Sequence, residues 1–93
     1  MLSIQRIADE LNVSEADLIQ QSVKSYLKQQ LIKVEAELFQ YCKKYGVKTV
    51  FEMDEKLKNG SLKENDIIDD FFAFDHLEHE RKHLIDLLEE GKK

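Results

Sequence analysis

His79-Glu80-Arg81-Lys82-His83 is the stretch whose residue types and spacing come nearest to an active site. It spells HExxH, the pattern in which two histidines four apart on a helix bind zinc and the glutamate acts as general base. His76 falls on the same side, so His76, His79 and His83 are the candidate metal ligands. All three lie on the helix face opposite Leu77, where solvent is expected. Arg81 and Lys82 are charged where the protease pattern usually has uncharged residues, and the ten residues after His83 supply no distant third ligand. The expectation is a solvated histidine face with no metal and no cofactor. Other chemistry is thinner still. Cys42 has no histidine near it in sequence and reads as core beside Tyr41 and Tyr45. The pairs Asp69-Asp70 and Glu89-Glu90 point to different helix faces, so neither forms a shared acid site. Gly46, Gly60 and Gly91 are isolated, which leaves no phosphate-cradling loop. No catalytic residue is assigned, and the chain is expected not to be an enzyme.

The elements that carry these residues must fit in 93 positions, enough for one small domain. Hydrophobic residues make up 42% and charged ones 35%, a globular balance. Fourteen basic residues against nineteen acidic ones give a net charge of −5, which argues against a general nucleic-acid binder. Residues 1–48 hold seven basic and six acidic groups; residues 49–93 hold seven and thirteen. The acidic half could steer a basic partner. Lys43, Lys44 and Lys48 form the one basic cluster and complement the negative end of a helix dipole. No apolar run approaches the roughly 20 residues of a membrane span. A single cysteine and the lack of a signal-peptide pattern fit a cytoplasmic location.

There is no proline. Each glycine follows an apolar-periodic segment, where a left-handed residue closes a helix, and Asn12 and Asn59 are the next-best candidates for that role. Start signals interleave: Ser14-Glu15-Ala16-Asp17 resembles a capping box, Thr49-Val50-Phe51-Glu52 matches one, and Ser61 or Asn65 can cap the last segment. No stretch alternates with period two for long enough to be a strand. The predicted fold is all-α, with helices at about 3–11, 15–45, 50–59 and 65–90.

Within the second helix, Leu27, Leu31, Val34, Leu38, Tyr41 and Tyr45 follow a 4-3-4-3-4 spacing, a seam of the coiled-coil type. Ile32, Ala36 and Phe39 form a second stripe further round the helix, so neighbours are needed on two sides. A helix over 15–45 spans about 46 Å, against a diameter near 30 Å for a compact chain of this length. The expectation is a homodimer with the six seam residues at its interface. In the last helix, Ile67, Ile68, Phe71, Phe72 and Phe74 stand among Asp69, Asp70 and Asp75. Ile68 and Phe72 point away from the stripe of Leu77, Leu84 and Leu88, which leaves two readings: a helix that enters the dimer core, or a docking surface of aromatic anchors and charge-complementary acids for a different protein.

Ile4-Gln5-Arg6-Ile7-Ala8-Asp9-Glu10-Leu11-Asn12-Val13-Ser14, followed by Ala16-Asp17-Leu18-Ile19 and Val23 to Leu27, resembles the two helices of ribbon-helix-helix (VapB-type) antitoxins. Lys44-Tyr45-Gly46-Val47, Phe51-Glu52, Leu57, Gly60 and the acidic aromatic stretch 66–74 resemble small prokaryotic, especially archaeal, proteins of toxin–antitoxin pairs. The resemblance implies a dimeric platform over 1–46 and a partner-binding half over 47–93. Ribbon-helix-helix proteins read DNA through a strand ahead of the first helix. Only Met1, Leu2 and Ser3 precede Ile4, so the platform is expected without the DNA reader. The implied function is a non-catalytic interaction module that masks a small basic partner, a toxin ribonuclease. A structural helical dimer and a DNA-binding repressor stand as alternatives.

Overall fold

Short polar side chains set where the helices begin. The computed structural model describes residues 3–60 and 67–91. Ser3 Oγ accepts from Arg6 N and opens α1 (Ile4–Leu11). Ser14 Oγ accepts from Asp17 N at 3.0 Å and opens α2 (Glu15–Tyr45). Thr49 Oγ1 accepts from Glu52 N at 3.2 Å and opens α3 (Val50–Lys58). The Glu52 carboxylate then accepts from Lys48 N at 2.9 Å, one residue ahead of the capping-box position. The fourth helix, α4, runs Ile67–Glu90; its expected caps Ser61 and Asn65 lie outside the described residues. The fold is all-helical, and among the described residues there is no strand.

The stops differ in detail from expectation. Asn12 (φ 57°) and Gly46 (φ 64°) are left-handed and end α1 and α2 as anticipated. Asn59 is not (φ −88°); the left-handed position falls one residue later, on Gly60 (φ 77°). Gly91 has no positive φ, so α4 ends without such a turn. A second surprise lies at the end of α2. Lys56, reaching across from α3, donates to the carbonyls of Tyr45 (3.1 Å) and Gly46 (3.2 Å). These acceptors would otherwise lack helical partners.

The long helices α2 and α4 run antiparallel. Tyr45 and Lys44 meet Asp70, Tyr41 meets Phe74, Glu35 meets Arg81, and Leu27 shares a groove with Leu87 and Leu88. The α2 seam expected to face a second chain is therefore lined by α4 of its own chain. The physical reason is length and pattern. At 24 residues α4 extends about 36 Å, enough to follow the seam with Phe74, Leu77, Leu84 and Leu88. Val34 and Leu38 are buried there, Tyr41 and Tyr45 pack at its edge, and Leu27 and Leu31 are half-buried.

Nor is the protomer the compact body assumed from its length. It measures 61 × 29 × 16 Å, with a gyration radius of 19.1 Å against about 12 Å for a compact chain of this size. The long helix is unbroken and is accommodated by elongation. The core sits at one end, where Val34, Leu38, Val47, Val50, Met53, Phe74 and Leu77 form one cluster under α3. Among described residues before Val34, only Ala8 is buried.

Candidate functional site

The acidic, aromatic start of α4 divides into two faces. Phe74 is fully buried, its ring edge-on to Tyr41 with centroids 6.0 Å apart. Ile67 and Phe71 pack against the same cluster. Asp70 is also turned inward, accepting from Lys44 Nζ at 2.7 Å and from the Tyr45 hydroxyl. The Lys44 and Tyr45 donors hold the Asp70 carboxyl below the usual aspartate range. Burial, then the bond to Asp70, raises the Tyr45 phenol. Four of the eight residues expected to meet a partner (Ile67, Phe71, Phe74 and Asp70) are thus occupied inside the protomer. Aromatic density in sequence could not separate them, because helix phase relative to α2 decides which ring is core.

The remaining four lie on or beside the outer face. Phe72 is 64% exposed and Ile68 47%. As anticipated, neither joins the face that buries Leu77. Phe71 braces Phe72 edge-on, with ring centroids 5.8 Å apart, so the outer ring is held by an inner one. Asp69 is exposed next to them, and Asp75 lies 3.7 Å from His79 Nε2.

His76 and His79 follow on this outer face, and His83 stands at its border with α2. His76 Nε2 lies 3.7 Å from Glu80, and both His76 and His79 side chains are about three-quarters exposed. His83 lines a shallow groove with Tyr26, Lys33 and Leu84. Among the described residues no three His, Cys, Asp or Glu side chains converge on a metal-sized site. Glu80, the general base of the HExxH pattern, is paired with His76 on an open helix surface. Cys42 packs at the core edge and its thiol donates weakly to the Lys48 carbonyl at 3.7 Å. Burial, with Glu78 and Glu52 nearby, raises that thiol above its ordinary value, the opposite of what a nucleophile needs. The basic cluster disperses: Lys44 serves Asp70, while Lys43 sits over the Phe39 ring at 5.6 Å.

A second set of exposed apolar residues gathers at the other end of the molecule, outside the expected site residues. Ile4, Leu11, Val13, Ile19, Val23 and Tyr26 all lie at the α1 end, each more than 40% exposed. The 4-3 spacing of Ile19, Val23 and Tyr26 was the available signal.

The Uncharacterized protein MJ0235 family matches residues 1–93, the whole chain. The chain belongs to that family. It is 37% identical over 73 residues to Uncharacterized protein MJ0235 of Methanocaldococcus jannaschii, an alignment covering 78% of this chain and 89% of that protein. No solved structure matches. Among the described residues no helix is long and apolar enough to cross a membrane.

Proposed function

We propose that this chain is a non-catalytic, antitoxin-like interaction module that masks a small basic protein, of the toxin ribonuclease kind, with the outer face of α4. The observation that carries the reading is the pairing of exposed Ile68 and Phe72 on a helix face that α2 does not cover, beside the exposed carboxylate of Asp69. Apolar anchors supply affinity when desolvated, and carboxylates select a basic surface and speed encounter. Phe71 holds the Phe72 ring in place, which lowers the entropy cost of docking. The excess of thirteen acidic over seven basic groups in residues 49–93 extends the complementary field.

The test is capture from the native host with tagged full-length chain, compared with Phe72→Asp and Phe74→Leu. A basic protein retained by the wild type and by Phe74→Leu, lost with Phe72→Asp, and inhibited in RNA cleavage by the wild-type chain is the expected outcome. Equal retention by Phe72→Asp overturns the assignment of the outer face. Retention of no basic protein overturns the masking function.

A further inference from the structure

The α1 end of the molecule has apolar surface without a core. α1 presents Ile4, Ile7, Ala8 and Leu11 at amphipathic spacing, yet only Ala8 is buried, and Ile4 and Leu11 are 49% and 61% exposed. α2 continues the pattern with Ile19, Val23 and Tyr26. Beside them, Ile19, Val23 and Leu27 face Leu87 and Leu88 across an open groove of about 360 Å³. An eight-residue helix has little stability alone, so α1 depends on packing to persist.

We propose that a second copy of this chain covers this end, with Ile19, Val23 and Tyr26 of the two protomers meeting across a twofold axis and the copy's side chains entering the groove. Area is the first argument. The protomer exposes 7579 Å², whereas a compact monomer of its mass exposes roughly 5,600 Å². The excess, about 2,000 Å², is spread over the 61 Å length of the protomer; the exposed apolar side chains of this end are part of it, and a standard stable interface takes roughly 800 Å² per partner. Charge is the second. Leu18 through Val23 contains no charged residue, Lys24 is the one charged residue lining the groove, and residues 1–48 carry seven basic against six acidic groups, so two copies meet here with little net repulsion. The acidic α4 face lacks that property: a copy placed there would oppose carboxylates to carboxylates. Symmetry agrees, since one patch meeting itself closes as a dimer and leaves no open surface for fibres. A membrane fits less well, because α1 carries Arg6 against Asp9 and Glu10 and lacks the basic polar face of a surface-binding helix.

Sedimentation equilibrium of the full chain across the micromolar range tests the proposal. The wild type and Phe39→Asp are expected at twice 11.0 kDa. Val23→Asp is expected to raise the dissociation constant by about thirtyfold or more. A wild type that stays at 11.0 kDa throughout overturns the dimer. A dimer unaffected by Val23→Asp, or dissociated by Phe39→Asp alone, overturns this face. Should Val23→Asp fail to fold, Val23→Cys in a Cys42→Ser chain decides. Mild oxidation is expected to give a reducible band of doubled mass, and its absence overturns the twofold contact.

Discussion

The two ends of this molecule are built from similar helices but solve burial differently. At the α3 end, three elements meet, Phe74 and Met53 are fully buried, and Asp70 is held by Lys44 and Tyr45. At the α1 end, α1 and the last turns of α4 flank α2 without closing over it, and its apolar stripe stays half open. Helix amphipathicity is thus necessary for a core but does not make one; the neighbouring elements must close over the stripe, as α3 does at the other end. The acidic end has apolar residues to spare on its outer face and suits a basic partner. The nearly neutral end suits a copy of itself.

Truncating the core is the largest way to sharpen this contrast. Phe74→Ala removes a fully buried ring from the contact with Tyr41 and is expected to cost about 3–5 kcal/mol in urea unfolding. Leu11→Ala, at the open end, is expected to change the stability of dilute protomer by about 0.5 kcal/mol or less. Similar losses at both sites would erase the distinction between the ends.

Lys56→Met comes next. It removes the donor to the Tyr45 and Gly46 carbonyls while keeping the aliphatic stem, and is expected to cost about 1–2 kcal/mol. Amide exchange is expected to quicken first at the end of α2, and unchanged exchange there would show that water replaces the lysine.

The smallest effect is the pH response of Asp70. Its folded pKa lies below the ordinary aspartate value because Lys44 and Tyr45 donate to it. The stabilisation is therefore complete above the unfolded value, about 3.9, and disappears as pH falls through the lower folded value. Asp70→Asn is expected to flatten the acid limb of stability below about pH 4 and leave the slope between about pH 5 and 8 unchanged. An unaltered acid limb would place the acid sensitivity elsewhere.

Much of the fold was legible because helix boundaries are local chemistry. Ser14, Thr49, Asn12 and Gly46 act within a turn or two of themselves, and each does what its type and position imply. The same locality explains the exposure of Ile68 and Phe72, which follows from their angle to Leu77. Lys56 illustrates the opposite case. Its carbonyl partners are ten and eleven residues away, across the α2–α3 corner, and no spacing rule announces that reach.

Which residues form helices, and which side of each is apolar, was determined by the sequence itself, through propensity, capping and a 3.6-residue period. What covers each apolar side was decided only by tertiary structure. The seam from Leu27 to Tyr45 would accept either a second chain or α4, since both offer leucines and aromatics at matching intervals. The turn through α3 brings α4 back antiparallel and gives it the seam. Burial has no direction of its own, so chain connectivity selects the partner.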